Sequence, residues 1–513
     1  MSDELPRSYV HLRQRYSAIV AYTGMIFMIC AGLMLVPITC VIFWPAELRL
    51  AIGFVLPAVG LGLLGMLLWR RFRPHGPTPL TTAQGGVIVV LSWGIACLVS
   101  AIPFMLVEGM DFTHGLFEAT SGWTTTGLTV LDFTEPTRMI LLWRSLMQFV
   151  GGAGIAIIMM ASVIGPAGIG LSAAEGREEQ LVPHVRASVR LIATLYSGYL
   201  LVGILGYWIA GMPAFDAINH SMTTVSTGGF STRAASIGAW DNLRIETVAI
   251  PLMLLGAVNF LTIWELVQRR YHRATRSGEL RLVAVLVPLG AMLLYSLVTG
   301  PLYGEDRAGR VAVFEAVSGL TQTGLTTTNY APWSAFGLLV ILTLMSIGGG
   351  AGSTSAGIKQ YRIYLLLMSL RWRIQQAFLP PTAVVERFIW RGEQKDFVDH
   401  RRIRESGDYF FLFVSAVIIV TLIIAATGIS LREALFDGAS IVGTVGLSVG
   451  VISATAHPAI LWAGIIGMFL GRLEFYVVIT GLLNLLSDSR KLLFVRRRPP
   501  SDAAGGDTDA TRE

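Results

Sequence analysis

Charged residues are scarce in this sequence. They make up 14% of the 513 residues, whereas hydrophobic residues make up 53%. Several apolar runs are longer than the ~20 residues that an α-helix needs to cross a bilayer. The composition therefore predicts an all-α polytopic membrane protein that contacts membrane lipids. The net charge of +6 comes from basic residues in short loops, where they set membrane orientation, so no nucleic-acid partner is expected.

Cysteine and the common catalytic motifs are also scarce. The three cysteines, Cys30, Cys40 and Cys97, lie in apolar stretches at no metal-ligand spacing, and they indicate no disulfide framework. Neither an HExxH nor a Walker GxxxxGK[ST] motif occurs and the histidines are scattered, which argues against an intramembrane enzyme and against an ATPase. No cofactor is expected in this chain. A removed signal peptide is not expected either, because no small-residue cleavage site follows the N-terminus.

Four short polar segments, by contrast, share one pattern. They read EATSGWTTTG from Glu118, HSMTTVSTGG from His220, EAVSGLTQTG from Glu315 and DGASIVGTVG from Asp437. Each has a polar residue nine positions before its last glycine and a Leu or Phe after that glycine, and each follows a short apolar stretch. Self-similarity at long intervals indicates duplicated units.

The chemistry of these segments is that of a cation site. Glycine allows backbone conformations closed to other residues, and rings of carbonyl oxygens can replace the hydration shell of a monovalent cation. One copy would fit an ordinary glycine turn, whereas four copies in register favour one pore with pseudo-four-fold symmetry. The predicted ion-binding residues are Thr124, Thr125, Thr126, Gly127, Ser226, Thr227, Gly228, Gly229, Thr321, Gln322, Thr323, Gly324, Gly443, Thr444, Val445 and Gly446.

The rest of the chain divides around these segments. Two spans, 18–43 and 50–69, carry no repeat and form an N-terminal two-helix hairpin. Each repeat is a span, a short re-entrant helix, a polar segment and a second span, because the short helices cannot cross ~30 Å of hydrocarbon. The four repeats are predicted at 84–107, 113–123, 124–129 and 138–164; 188–211, 215–225, 226–231 and 245–268; 279–300, 310–320, 321–328 and 335–369; and 408–427, 431–442, 443–448 and 457–486. The corresponding domains are 1–75 for the hairpin, then 76–187, 188–277, 278–407 and 408–490 for the repeats, and 491–513 for a tail expected to be disordered.

Two stretches within the spans carry further chemistry. Residues 346–359 read SIGGGAGSTSAGIK, and each glycine costs a helix roughly 1 kcal/mol relative to alanine. A loop lining a cavity is therefore favoured, with close small-residue packing as the alternative. Arg472 lies deep in the last predicted span, where a charge costs about 2.5–3.5 kcal/mol and faces water or a partner. Its charge is expected to repel cations, and its guanidinium to donate to loop carbonyls that the helix break leaves unpaired. The predicted gating residues are Gly348, Gly349, Gly350, Gly352, Ser353, Thr354, Gly357, Lys359 and Arg472; Glu474 is a weaker candidate.

Loop charges predict the topology. Arginines and lysines concentrate in the loops after residues 70, 177, 269 and 387 and after residue 490, whereas the loops near 108–114, 211–216 and 300–310 hold fewer. The basic side is the cytoplasmic one. With two plus eight spans, both termini are expected in the cytoplasm. The basic loop 371–407 has two interpretations of equal weight, a topological anchor or a docking surface for a soluble protein.

Taken together, these motifs resemble the Trk/Ktr/HKT family of potassium transporters over essentially the whole chain. The matching stretches are 124–128, 215–221 with 228–232, 321–326, 349–354 with Lys359, and 471–474. Trp143, Arg144, Gln148, Gly151 and Gly152 are similar to the stretch that follows the first filter of that family. The sequence departs from the family at Gln322, where a small residue or threonine is usual, and at Thr444 and Val445, which replace a Gly-Pro pair.

The resemblance implies a potassium uptake subunit, not an enzyme. It implies a potassium-selective filter at the four polar segments, an intramembrane gate, a homodimer in the bacterial cell inner membrane and a cytosolic, nucleotide-binding, TrkA-like regulatory subunit. Transport would be driven by the membrane potential, with K⁺ as the transported ion. One alternative is a proton- or sodium-coupled potassium symporter, against which the absence of a clear mid-span acid argues weakly. A sensor whose pore does not conduct is another.

Overall fold

The computed structural model describes residues 7–72, 82–154, 185–380, 386–391 and 394–495. These residues are mostly helical and form an N-terminal hairpin and four similar units. The hairpin helices are Arg7–Leu35 and Ile52–Phe72, joined by two 3₁₀ turns, Val36–Ile42 and Pro45–Ala51. The carboxylate of Glu47 accepts hydrogen bonds from the backbone N–H groups of Arg138 (2.8 Å) and Met139 (3.2 Å). The hairpin is thereby tied to the first repeat.

Each of the four units has the predicted order of elements. The long first helices are Thr82–Val107, Val185–Ile209, Gly278–Leu294 with its continuation through a π-turn at Tyr295–Thr299 to Gly300–Leu302, and His400–Ala425. Re-entrant helices one to four are Phe112–Trp123, Ala214–Val225, Glu305–Thr321 and Leu431–Gly443. The second spans begin with Arg138–Ala153, Leu243–Ala257, Ala335–Ile347 and Pro458–Arg472. Short elements between them are Ser236–Ala239 and Tyr271–Ala274.

Side chains cap two of the re-entrant helices where the sequence offers an acceptor. Asp111 accepts from the backbone N–H of His114 and Ser430 from that of Glu433, which satisfies N–H groups that a helix start leaves free. The same His114 N–H is the main reason that the pKa of the Asp111 carboxyl is lowered. The third re-entrant helix begins at Glu305 rather than at the predicted residue 310, with Glu305 and Asp306 in its first turn, where acidic residues stabilise a helix.

Three of the predicted second spans are broken, which corrects the boundaries. The second unit's span bends by 115° between Leu243–Ala257 and Phe260–Val267, and the fourth by 104° after Arg472, where the helix Phe475–Val495 begins. The spans predicted at 245–268 and at 457–486 are therefore each two helices joined at a bend, not one straight helix. The third unit's span stops at Ile347 and resumes as Gln360–Ala377, so the break predicted from glycine and serine is present. The predicted first-unit span beyond Gly154 lies outside the described residues.

The helices are those of a multi-pass membrane protein. Six described helices are long and apolar enough to cross a membrane, and there are eight such spans if each of the two bent pairs counts as one. Their outward surfaces carry exposed leucine, isoleucine and valine, as at Leu63, Leu201 and Ile419. The three cysteines are free and buried.

A small two-stranded sheet is the one departure from all-α structure in the described part of the chain. Strand Phe388–Arg391 pairs antiparallel with Gln394–Phe397, with Phe388 opposite Phe397. Ile389 beneath it packs with Leu365 and Trp372 of the helix Gln360–Ala377. The sheet is thus fixed to the helix that follows the break in the third unit.

Candidate ion pathway

The four re-entrant helices end in the same backbone motif. In the first, the N–H of Thr125 donates to the Gly122 carbonyl (3.1 Å) and the N–H of Thr126 to the Ser121 carbonyl (2.9 Å). The same pair of bonds recurs at Thr227 and Gly228, at Gln322 and Thr323, and at Thr444 and Val445. This is the Schellman pattern of a helix C-terminus, and it turns the chain away from the helix at the same point in every repeat.

The turn residue of this motif is not glycine in any of the four copies. Its φ angle is +54° at Thr125, +52° at Thr227, +58° at Gln322 and +51° at Thr444. A left-handed conformation costs a non-glycine residue roughly 1–2 kcal/mol. Strain of this kind persists only where the surrounding structure imposes it, and it concentrates at functional sites.

Two residues further on, each segment has its glycine, also in the left-handed region. The φ angles are +88° at Gly127, +77° at Gly229, +73° at Gly324 and +97° at Gly446. Within each polar segment, the four residues that end at this glycine (124–127, 226–229, 321–324 and 443–446) therefore have left-handed conformations at their second and fourth positions. The sixteen predicted ion-binding residues thus form four backbones of one shape.

These four segments form a closed ring in chain order. A Cβ atom added to Gly127 would lie 2.2 Å from the carbonyl oxygen of Gly228 in the next segment. The corresponding contacts are Gly229 with Thr323 O at 2.3 Å, Gly324 with Val445 O at 2.0 Å, and Gly446 with Thr126 O at 2.2 Å. Each glycine lies against the carbonyl that precedes the next glycine, and the fourth segment returns to the first. Any side chain at these positions would displace a carbonyl of the ring.

Buried polar side chains form hydrogen bonds to the stretch of chain that follows each segment. Glu118 accepts from the backbone N–H of Val130 (2.6 Å), and Asp437 accepts from that of Val449 (3.0 Å). Glu315 accepts from the N–H of Thr327 (2.8 Å) and from the Tyr330 hydroxyl. In the second repeat, His220 takes this position, with its Nε2 bonded to the Ser231 hydroxyl (2.9 Å). This polar position recurs in the sequence nine residues before each glycine, and that fixed distance was the available signal of its role.

The second polar segment is also braced from the first repeat. The Gln148 amide donates to the Gly228 carbonyl and accepts from the Phe230 N–H (3.1 Å). The fully buried Arg144 pairs with Glu118 (3.2 Å), donates to the Ser231 carbonyl (3.1 Å) and stacks over the Phe230 ring. Neither residue was among the predicted ion-binding residues. Gln148 thus fixes segment two at Gly228, and Arg144 fixes the residues that follow it.

The loop formed by residues 348–359 packs against the second and third polar segments. The Thr354 hydroxyl donates to the Gly256 carbonyl (2.9 Å) and lies 3.2 Å from the Thr227 hydroxyl. The Ser355 hydroxyl lies 3.0 Å from the Thr321 carbonyl oxygen. Because Thr227 and Thr321 belong to polar segments, the loop adjoins one end of the ring.

Broken helices supply the acceptors that hold this loop. The span that ends at Ala257 leaves carbonyls without helical partners, and the N–H groups of Gly350 and Thr354 donate to Ala257 O (2.8 Å) and Gly256 O (3.1 Å). Glu279 accepts from the N–H of Ala351 (2.7 Å). Buried backbone that is not helical needs partners of this kind in a membrane.

Arg472 joins the loop to the first repeat. Its guanidinium donates to the Thr354 carbonyl (2.6 Å) and to the Gly151 carbonyl (2.7 Å). Arg472 is the last residue of its helix and lies at the bend, about midway along the bent pair of helices that covers the predicted span 457–486. Glu474 points elsewhere, to Lys359 (3.2 Å) and Arg362 (2.7 Å). The structure therefore brings Thr354, Arg472 and Lys359 together at one end of the ring.

Comparison with known proteins places the chain in a family. The sequence matches the family described as "TrkH: Cation transport protein" over residues 59–490. It is 30% identical over 448 residues to an uncharacterized cation transporter of Methanocaldococcus jannaschii, covering 86% of this chain and 90% of the relative. It is 30% identical over 481 residues to the Trk system potassium uptake protein TrkH of Salmonella typhimurium, covering 90% and 98%.

The fold is similar to that of a solved transporter. The crystal structure of the potassium transporter TrkH from Vibrio parahaemolyticus superposes with a TM-score of 0.80 at 26% identity, covering 92% of this chain and 98% of that one. Sequence match, structural match and the four-fold repeat of the site agree with each other. The chain belongs to the TrkH family of cation transport proteins, which are transporters and not enzymes.

Proposed function

We propose that this protein takes up potassium through the ring formed by the four polar segments. The observation that carries the proposal is the closed ring itself, in which four backbones of one shape meet in chain order. Alternating left-handed residues turn successive peptide units so that carbonyl oxygens can face a common axis. Such carbonyls replace the hydration shell of K⁺. An inside-negative potential supplies about 2.3 kcal/mol per charge per 100 mV, so uptake needs no ATPase.

The 348–359 loop is the proposed gate. It lies at one end of the ring, with Thr354 and Ser355 beside the second and third segments. Arg472 holds it through the Thr354 carbonyl and adds a positive charge to the ion path. Three glycines of the loop, Gly348, Gly352 and Gly357, have positive φ angles, a conformation that residues with side chains rarely adopt, and glycine can leave it at little cost.

Orientation and assembly follow the family and the loop charges. The protein is proposed to lie in a bacterial inner membrane with both termini and the basic loops in the cytoplasm. The gate then faces the cytoplasm, where a nucleotide-binding, TrkA-like regulatory subunit can act on it. A homodimer is proposed, with each subunit carrying its own complete ring. The predicted domain boundaries are retained in this scheme.

Rubidium flux into liposomes that contain only this protein tests the proposal. We expect an inside-negative potential to drive rubidium uptake, potassium to compete for it, and sodium to compete weakly. Varying the pH at fixed voltage separates this mechanism from proton-coupled symport, which would change the flux. Two results would overturn the proposal: no potential-driven uptake, or competition by sodium as strong as that by potassium.

A docking surface for the regulator is proposed on the basic loop 371–407. Phe397 of the small sheet is 64% exposed, and the side chain of Arg401 is 81% exposed. Arg402 forms a salt bridge with Asp396 (2.9 Å), a residue of the second strand, and so helps to stabilise the sheet. A basic surface with an exposed aromatic ring is suited to binding an acidic protein partner.

Reversal of charge on this surface is expected to weaken binding of the regulator. The variant Arg401→Glu with Arg404→Glu should reduce co-purification and lower the salt dependence of binding, since exposed charges act over ~8–10 Å at physiological salt. Adding Arg402→Glu should weaken binding further but also disturb the sheet. The control is Arg244→Glu, at an exposed arginine in the first turn of the helix Leu243–Ala257 of the second repeat. Unchanged affinity and salt dependence would reduce these arginines to topological anchors.

A further inference from the structure

The third polar segment differs from the other three at one position. Gln322 occupies the left-handed turn position that is threonine in the first, second and fourth segments, at Thr125, Thr227 and Thr444. Its side chain is fully buried. A long amide in place of a threonine needs space and partners, and both come from the 348–359 loop.

The Gln322 amide makes two hydrogen bonds that reach from the ring into the broken span. Its Oε1 accepts from the Ser355 hydroxyl (2.7 Å), and its Nε2 donates to the Met345 carbonyl (2.8 Å). Met345 precedes the loop and Ser355 lies within it. One side chain of the ring, that of Gln322, therefore binds both the loop and the helix that precedes the loop.

The loop is shaped to receive this amide. A Cβ atom added to Gly357 would lie 2.2 Å from Gln322 Nε2, and one added to Gly348 would lie 2.8 Å from it. Both distances are shorter than non-bonded atoms tolerate, so a side chain at either glycine would push the amide away. Glutamine in the ring and glycines in the loop are complementary.

The Ser355 hydroxyl connects this contact to an ion ligand. It has one proton and two acceptors within reach, Gln322 Oε1 at 2.7 Å and the Thr321 carbonyl oxygen at 3.0 Å. Thr321 is the first residue of the third segment, at the end of the ring next to the loop. While the loop is in place, Ser355 lies against an oxygen that the ring would otherwise present to an ion.

We propose that Gln322 latches the 348–359 loop to the third polar segment, so that gate opening and release of the Thr321 carbonyl are one event. The proposal rests on the ring and gate described above and adds the residue that couples them. When the loop leaves, Ser355 withdraws from both acceptors, and the innermost site gains an oxygen ligand. Since that ligand is available only in the open state, potassium at this site favours opening.

A double-mutant cycle on rubidium flux into liposomes tests the latch. Gln322→Thr installs the residue found at the equivalent position of the other segments, and Ser355→Ala removes the hydroxyl. Each should raise basal flux by roughly fivefold, as loss of a hydrogen bond worth ~1 kcal/mol would do. The double variant should exceed the larger single effect by no more than about twofold, because contacting residues are not additive. Ser355→Thr, which keeps the hydroxyl, should give less flux than Ser355→Ala.

The matched control is Ser353→Ala. Ser353 is a hydroxyl of the same loop, but its hydrogen bonds stay within the loop: it donates to the Gly350 carbonyl (2.7 Å) and accepts from the backbone N–H of Ser355 (3.3 Å), and neither bond involves Gln322. Its effect should multiply with that of Gln322→Thr. If Gln322→Thr and Ser355→Ala also multiply, or if neither raises flux, the latch is wrong. Arg472→Ala measured in parallel separates this failure from failure of the gate, since that variant should raise flux whether or not the latch exists. Gln322→Met supplies a second test if the threonine variant does not fold.

Discussion

Replacement of Arg472 with alanine is expected to raise basal rubidium flux by roughly tenfold or more. Arg472 donates to carbonyls of the loop and of the first repeat, at 2.6 and 2.7 Å. A hydrogen bond from a charged donor contributes ~1.5–3 kcal/mol, and 1.4 kcal/mol is a factor of ten in an equilibrium constant. Loss of both bonds removes the bridge that holds the loop, and loss of the charge removes a repulsion along the ion path.

Two variants separate these causes. Arg472→Lys keeps the charge, but a single ammonium cannot replace the fork that spans two carbonyls. High flux in the lysine variant would assign the effect to the bridge, and low flux would assign it to the charge. Arg432→Ala is the control, because Arg432 also donates to two carbonyls, Ala331 O and Trp333 O, but contacts neither the loop nor the ring in these bonds. A folded Arg472→Ala protein with wild-type flux and unchanged response to the regulator would make Arg472 a purely structural residue.

Replacement of Gly127 with serine is expected to lower the potassium-over-sodium ratio by roughly tenfold, the effect of ~1.4 kcal/mol lost from coordination of potassium. A Cβ atom there would lie 2.2 Å from the Gly228 carbonyl oxygen, at a φ angle of +88°. The backbone of the second segment must move to accept it. Reversal potentials in mixed potassium and sodium measure the ratio without depending on how often the gate opens.

A matched variant isolates the clash from the backbone strain. Gly428 has nearly the same φ angle, +94°, but no atom lies within 4 Å of an added Cβ. Gly428→Ser should therefore reproduce the strain and leave selectivity as it is. If the reversal potential is unchanged in Gly127→Ser as well as in Gly428→Ser, the result argues against carbonyl coordination at this ring.

Repetition made much of this fold predictable. The four glycines and the polar residue nine positions before each of them marked the repeats, and the hydrophobic runs marked the spans. The bends at residues 258–259 and 473–474 were not predictable in the same way. The helix propensities of Val258 and Asn259 do not predict a break. The break is stabilised by Asn259, whose side chain caps the next helix by accepting from the Leu261 N–H (2.8 Å). It is also stabilised by loop N–H groups, which donate to the carbonyls that the break leaves without helical partners.

The contacts of individual polar side chains were the hardest part of the site to foresee. Arg472 was expected to donate to carbonyls of the 348–359 loop, and its bond to the Thr354 carbonyl agrees with that expectation. Its second partner, the Gly151 carbonyl of the first repeat, has no signal in the sequence. Ser355 was missed beside Ser353 and Thr354, since only the folded loop shows which hydroxyl faces the ring. Gln322 stood out as a departure from the family pattern. Its role depends on the room left by Gly348 and Gly357.

The contact between the fourth and first polar segments, which closes the ring, affects the order in which the protein folds. Gly446 meets Thr126, and Arg472 reaches Gly151 across 321 positions of sequence. Such distant contacts form late in folding, because the loop between them must close first. On the ribosome, the first three repeats emerge well before the fourth. If the ring is the potassium pathway, as proposed above, that pathway is complete only after the fourth repeat has been inserted. A partly synthesised chain would then have no open path through which the cell could lose its ion gradients.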